Sequence, residues 1–384
     1  MSAGGPTRYS IPFNKPFLTG GEFANIEEAI RQGHISGDGA FTKRCQALLE
    51  EILGSPKVLL TTSCTDALEL AALLLGLREG DEVILPSYTF VSTANAFVIH
   101  GATPVFADVR PDTLNLDPDS VAALMTPRTR VIVPVHYAGV GCDMEALLRI
   151  AGEGHASVVE DAAQALFGRY RGRPLGSFGA AAAFSFHETK NVSCGEGGAI
   201  AINDVSLVER AEILREKGTN RSKFFRGEVD KYTWVDVGSS FLPSDLLAAY
   251  LLAQLEARER IQELRRDLWT RYRDALAPWA SANGTALPGV PAECEQPYHM
   301  FYLILPTAEA RTRLIAHLRS RGILAVFHYV PLHLAPMGRA FGGREGQLPV
   351  TERIAERLVR LPFFNGMTGE QFEAVVDAVL EFEP

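Results

Sequence analysis

FSFHETKNVSCGEGGAI, residues 184–200, decides how this chain is read. An apolar run ends at Phe186, passes through His187-Glu188-Thr189-Lys190-Asn191, and then breaks into Gly195, Gly197 and Gly198. A single lysine between an apolar strand and a glycine-rich turn is an unusual place for a solvated charge. From these residues alone two readings stay open: an ordinary loop lysine, or a lysine delivered by a strand to do chemistry. The glycines let the backbone turn tightly in either case.

The surrounding chain repeats one texture. KVLLTTS leads into CTDALELAALLLGL and DEVILPS into VSTANAFVIHG; TPVFADV, RVIVPVHYAG, ASVVEDAAQ, AAAFSF and GAIAIND follow. Short apolar runs separated by helical segments predict an α/β fold with a largely parallel sheet covered on both faces. Only the glycine-rich turn separates the last two runs, which leaves room for one antiparallel neighbour. Beyond residue 245 the texture changes. DLLAAYLLAQLEARERIQELRRDLWTRYRDAL predicts a long amphipathic helical stretch, followed by strands in MFYLILP and ILAVFHYV, the helix EARTRLIAHLRSRG and a final helix. The expected organisation is an N-terminal arm over 1–20, loose through residue 10, a large domain over 21–264 and a smaller α+β domain over 265–384.

Composition narrows the function. A chain of 384 residues exceeds what one hydrophobic core usually supports, which agrees with two domains. Its formal net charge of −9 argues against a nucleic-acid partner, which needs clustered positive potential. The one basic cluster, Arg221-Ser222-Lys223-Phe224-Phe225-Arg226, fits a small phosphorylated ligand or a solvated loop. The N-terminus lacks the charged and apolar regions of a signal peptide, and no apolar run approaches the roughly 18 residues of a membrane helix. Five scattered cysteines, never in C-x-x-C spacing, fit free thiols in a reducing cytoplasm rather than a disulfide frame or zinc site. No metal-ligand spacing is present.

Ligands of open α/β sheets bind at the carboxyl ends of strands, near helix N-termini. Ser63-Cys64-Thr65 closes one strand and opens a helix there, suiting a phosphate or serving as a plain helix cap. VVEDAAQ ends another strand with Asp161, and Gln164 lies about one helical turn beyond it; a carboxylate there can balance a buried cation or simply cap. GEGG lacks the spacing of a dinucleotide site, and no P-loop occurs. One lysine for a Schiff base, one acid for a ring nitrogen, and hydroxyls at a helix N-terminus for a phosphate describe a site for pyridoxal 5'-phosphate (PLP). Of seven lysines, only Lys190 follows an apolar strand at the ligand end of the sheet. A desolvated lysine has a lowered pKa and becomes a nucleophile and proton carrier.

The ordered set TTSCTDALEL, PSYTFVSTANA, VHYAGVGCDM, VVEDAAQALF, FSFHETKN with GEGGA, and FHYVPLH resembles the DegT-type nucleotide-sugar aminotransferases, PLP enzymes of aminotransferase fold type I. The resemblance runs over almost the whole chain. SFHETKN, REKGTNRSKFFRGEVDKYTW and DVGSSFLPSD are similar to the dTDP-4-amino-4,6-dideoxygalactose transaminases. It implies that Lys190 carries the cofactor and shuttles the proton, that Asp161 pairs with the pyridinium nitrogen, and that Gln164 bonds the ring hydroxyl. Phe90 would stack on the ring, while Cys64 (through its N–H), Thr65 and Ser185 would hold the phosphate. His187, His328, Tyr329 and Arg221 would meet the substrate. Many relatives place an asparagine from the neighbouring subunit on the phosphate; Ser240 stands at that position here. The resemblance further implies a homodimer with shared sites, L-glutamate as amino donor, and a dTDP-linked 4-keto-6-deoxyhexose as acceptor, with a UDP-linked 4-keto sugar as the rival. Lys190 argues against a sugar 3-dehydratase, in which histidine replaces the lysine. A cofactor-binding regulator without turnover needs a DNA-binding module, and none is visible.

Overall fold

The seven apolar runs become the seven strands of one sheet in the computed structural model, which describes residues 9–384. Its strands are β1 (Lys57–Thr61), β2 (Glu82–Pro86), β3 (Thr103–Ala107), β4 (Thr129–Ile132) and β5 (Ser157–Asp161). A short hairpin, β6 (Arg169–Tyr170) and β7 (Arg173–Pro174), precedes β8 (Ala181–Ser185) and β9 (Gly198–Ile202). The spatial order is β1-β9-β8-β5-β4-β2-β3. All neighbours are parallel except β9, which runs against both β1 and β8. The glycine-rich turn therefore does create the antiparallel neighbour. Two reversals leave β1 parallel to β8, so the carboxyl ends of β1, β2, β4, β5 and β8 share one edge.

Strand alternation explains why both faces must be covered. Val58, Leu60, Ile84, Ile132 and Ala182 pack into one cluster, while Leu59, Val83, Val131, Val159, Ala183 and Ile200 pack into another. Burial of each Val, Leu or Ile side chain contributes roughly 1.5–3 kcal/mol. The helix Cys64–Leu74 covers the second face, and the helix Ala40–Leu53 and the helix Asp245–Glu256 cover the first.

The long stretch after residue 245 is two helices rather than one. Asp245–Glu256 stops at Ala257 (φ −91°, ψ 13°), and Arg258–Ala282 starts anew. The first helix is apolar and buried in the main core; the second is amphipathic. The break redirects the chain from one core to the next: Ile261 still packs in the main core, whereas Leu268, Trp269 and Tyr272 pack with Phe301, Leu303, Leu314 and Val375. That second core lies against a three-stranded antiparallel sheet. After β10 (Cys294–Glu295), which pairs with β6, its members are β11 (Tyr302–Ile304), β12 (Val326–Phe327) and the central β13 (Leu358–Arg360). The boundary expected at 264/265 falls inside the helix Arg258–Ala282.

Of the tail expected to be loose through residue 10, residues 1–8 lie outside the described residues. Ser10 Oγ donates to the Gly322 carbonyl at 3.1 Å, and Ile11 bridges to Ile323 in parallel, so the arm is tied to the C-terminal part of the chain from Ser10 onward. Among the described residues no helix is long and apolar enough to cross a membrane.

Candidate active site

A cavity of about 600 Å³ opens at the shared carboxyl edge of the sheet, roofed by residues 327–330 and by Arg360. Lys190, His187, Cys64, Thr65, Phe90, Asp161, Gln164, Ser185, His328 and Tyr329 all line it. Ser240 and Arg221 do not. Ser240 is exposed and its backbone bridges Glu216; Arg221 Nη1 pairs with Glu216 Oε1 at 2.7 Å and its guanidinium lies over the Phe225 ring.

The opening stretch builds the first wall. Ser185 stands opposite Gly198 in the β8–β9 pair, and the loop beyond is closed by Phe186 N–H to Gly197 O, Cys194 N–H to Phe186 O and Glu188 N–H to Gly195 O. Gly195 has φ +89°, a conformation that favours glycine. Gly198 is required for another reason: a Cβ there would sit 2.3 Å from the Ser63 carbonyl carbon and 2.5 Å from Cys64 N. Only glycine lets β9 come this close to the turn that opens the helix Cys64–Leu74. Asn191 then pins the lysine loop, donating to Pro297 O at 2.6 Å and accepting from His299 Nδ1 at 2.8 Å.

Burial pushes the Lys190 ammonium below its ordinary pKa; Cys64 and Asp161 oppose the shift and the Arg360 charge adds to it. Lys190 is thus held closer to the free amine that a nucleophile requires. Asp161, only 6% exposed, ends β5. Its Oδ2 accepts from Thr93 Oγ1 at 2.7 Å, which is in turn 2.8 Å from Thr89 Oγ1, and its Oδ1 accepts from Ala163 N at 3.1 Å. Gln164 is oriented from both sides: Oε1 accepts from Ala138 N at 2.7 Å and Nε2 donates to Tyr329 OH at 3.3 Å.

At the helix N-terminus, Ser63 Oγ caps Asp66 N at 3.0 Å and Thr65 Oγ1 donates to Ser92 Oγ at 2.8 Å. First-turn amides of an α-helix have no intrahelical acceptor, and the helix dipole favours an anion beside them. Phe90 is 58% exposed and stands at the start of the helix Val91–Val98, its ring centroid 6.5 Å from that of Tyr329. His187 occupies the rim, with Nδ1 2.9 Å from Thr189 Oγ1 and Nε2 3.6 Å from Glu196 Oε1. His328 is buried, its Nδ1 is 3.0 Å from Tyr137 OH, and burial with the nearby Arg360 and Lys190 charges holds its pKa well below the ordinary value.

Sequence reasoning missed Arg360, Thr93, Asn191 and His299. Arg360 ends β13 and lies over the Phe13 ring at 4.6 Å. Its Nε is buried without a partner, and among the described residues it forms no salt bridge. A guanidinium cannot shed its charge, so this cation stands ready for an anionic group entering the cavity. Nothing local marks it in LVRLP. Thr93 stands in the first turn of the helix Val91–Val98, with Thr89 just ahead of its N-cap.

The donor set fits PLP: a desolvated lysine, a fixed carboxylate, an oriented amide, a hydroxyl-lined helix N-terminus and an exposed aromatic ring surround one cavity. Comparison with known proteins agrees. The profile of the DegT/DnrJ/EryC1/StrS aminotransferase family matches residues 18–380. The spore coat polysaccharide biosynthesis protein SpsC of Bacillus subtilis is 33% identical over 377 residues, covering 96% of each chain. Among solved structures, DesV of S. venezuelae is 34% identical with a TM-score of 0.88, covering 97% of this chain and 98% of its own. The PLP form of Spr1654 from Streptococcus pneumoniae is 26% identical with a TM-score of 0.89 and the same coverage. Family match, fold and lysine-bearing cavity coincide along one chain, which therefore belongs to the DegT/DnrJ/EryC1/StrS aminotransferase family and is a PLP-dependent aminotransferase.

Proposed function

We propose that the chain moves the amino group of L-glutamate to C4 of dTDP-4-keto-6-deoxyglucose, giving a dTDP-4-amino-4,6-dideoxyhexose of galacto or gluco configuration. The observation that carries this reading is the convergence of Lys190, Asp161 and the unpaired Arg360 on one cavity. PLP supplies an aldehyde that takes up the amino group and a protonated ring that accepts an electron pair. The chain's own residues do the rest. Asp161 keeps the ring nitrogen protonated, Gln164 bonds the ring hydroxyl, Phe90 covers one ring face, and Cys64 N–H, Thr65 and Ser185 hold the phosphate. Lys190 Nζ carries the cofactor between turnovers and moves the proton to and from the reacting carbon in each half-reaction. Arg360 pairs with a carboxylate of the donor. His187, His328 and Tyr329 line the path of the sugar, with His187 nearest solvent.

The similarity to SpsC, named for spore coat polysaccharide biosynthesis, and to Spr1654, described as a sugar aminotransferase, supports a sugar acceptor, and the SFHETKN and GSSFLPS segments support the dTDP-linked 4-keto class. In this reading the active unit is a homodimer in which Ser240 and Arg221 serve the cavity of a second copy. The exposed Tyr232 and Trp234, 54% and 78% accessible, support a covered surface beside them. We divide each copy into the arm 1–20, the PLP-binding domain 21–264 and the small domain 265–384. Five free cysteines support a cytoplasmic setting. The test is incubation with glutamate and either dTDP- or UDP-linked 4-keto-6-deoxy sugar, followed by NMR at C4. An aminated dTDP sugar supports the reading; amination of the UDP sugar alone, or of neither, overturns it.

A further inference from the structure

Ser87, His333 and Glu352 form a buried polar group that none of the roles above uses. Ser87 Oγ lies 2.6 Å from His333 Nδ1, and His333 Nε2 lies 3.0 Å from Glu352 Oε1. Serine, imidazole and carboxylate in this order resemble a hydrolytic triad. However, Ser87 and His333 are 0% exposed and neither lines the cavity, so no acyl group can reach the hydroxyl.

The carboxylate of Glu352 orders the group. Burial raises the Glu352 pKa, but hydrogen bonds from Gly346 N–H, the His333 ring and Leu348 N–H outweigh it and leave the carboxyl below its ordinary value. A carboxylate only accepts, so His333 Nε2 carries the proton it donates. In the neutral ring Nδ1 then accepts, and Ser87 O–H is its donor. Ser87 Oγ in turn accepts from His333 N–H at 3.0 Å. In that tautomer each hydrogen bond of the group has one direction.

The group joins two segments that both line the cavity. Ser87 follows β2 and leads through Tyr88 and Thr89 to Phe90. His333 follows the segment that carries His328 and Tyr329. Two further contacts tie the same segments: Leu332 N–H donates to Ser87 O at 3.0 Å, and Tyr88 OH donates to His328 O. Glu352 adds a third anchor on the helix Pro349–Arg357, whose Val350 and Thr351 amides donate to Asp108 just beyond β3 at 3.0 and 2.8 Å. The end of β2 and the segment 327–333 are therefore held at one separation, and the Phe90 and Tyr329 rings they carry lie 6.5 Å apart between centroids, tilted by 49°.

We propose that Ser87, His333 and Glu352 are positioning residues for amino transfer. Through one ordered hydrogen-bond chain they set where the Phe90 and Tyr329 rings stand in the cavity, and hence the fit of the PLP ring and the keto sugar against them. The inference rests on the functional reading above. Both links meet at the His333 ring, so loss of either one frees the ring to turn and weakens the other.

The experiment compares holoenzyme of wild type, Ser87→Ala, Glu352→Gln and the double variant. It reads PLP dissociation, kcat and the ¹⁵N shifts of the His333 ring. Wild-type shifts should show Nε2 protonated and Nδ1 as acceptor. Each single variant should raise the PLP dissociation constant and lower kcat by about tenfold, the size of one network coupling. The double variant should be no worse than the weaker single. Should Ser87→Ala fail to fold, Ser87→Cys carries the comparison, since it keeps the side chain's shape and weakens the donor to His333 Nδ1. Additive losses, a proton on Nδ1 in the wild type, or lowered thermal stability with unchanged kcat and PLP affinity would each overturn the proposal. A wild-type protein that binds PLP but transfers no amine to the keto sugar would instead refute the functional reading, while PLP dissociation and the tautomer are still read in the same sample.

Discussion

Thr93 Oγ1 donates to Asp161 Oδ2 at 2.7 Å, so the acid at the floor of the cavity is held by a threonine from the helix Val91–Val98. With Ala163 N on the other oxygen, the carboxylate has one orientation. Replacing Thr93 by valine keeps the shape and leaves Oδ2 without its donor, a loss of about 1–3 kcal/mol in a buried site. Thr93→Val should therefore weaken PLP binding by roughly ten- to a hundredfold, measured by cofactor titration. Asp161→Ala should abolish amine transfer while the protein still folds.

Lys190 gives a pH prediction. Its folded-state pKa is lowered from 10.5, chiefly by burial. Without cofactor, the unfolded chain binds this proton more readily than the folded one, so the apoprotein carries a penalty at neutral pH. That penalty is relieved as pH rises from the lowered value toward 10.5. Apo Lys190→Met should melt above the apo wild type near neutrality, with the gap closing toward alkaline pH. A gap that widens with pH would contradict the assignment.

Arg360 separates the two half-reactions. Truncating one member of a buried charge pair costs about 2–5 kcal/mol. Arg360→Gln should raise KM for glutamate by about a hundredfold or more. Single-turnover amination of the keto sugar by pre-aminated enzyme should stay within about twofold. Equal losses in both half-reactions would show that Arg360 serves the sugar or the fold instead.

Gly198 tests the backbone approach. A methyl group 2.3 Å from the Ser63 carbonyl carbon must displace either β9 or the turn that opens the helix Cys64–Leu74. Gly198→Ala should lower stability by about 1–3 kcal/mol and weaken PLP binding. Gly195→Ala is strained by its φ of +89° but meets no atom within 4 Å, so its effect should be the smaller of the two.

These residues also show what the sequence makes legible. The seven sheet strands could be read because each is a compact run of apolar residues, and the antiparallel β9 because only a turn precedes it. Lys190, Asp161 and Ser185 could be placed because strand ends and helix starts are local events. Arg360 could not, because its importance comes from a missing partner, and only the folded chain shows who its neighbours are. The Ser87–His333 contact spans residues far apart in sequence and has no periodicity to betray it. The break at Ala257 was hidden because both helices carry good helix formers, and the change of direction is set by two separate cores. Ser240 and Arg221 do not enter the cavity of their own chain, so one copy's geometry leaves their roles to the proposed dimer.

The most direct test is to reduce the holoenzyme with borohydride and map the modified peptide. The cofactor should be found covalently attached to Lys190, within the peptide containing HETKN, and Lys190→Ala should show neither attachment nor amine transfer. Attachment to another lysine, or full amine transfer by Lys190→Ala, would contradict the account.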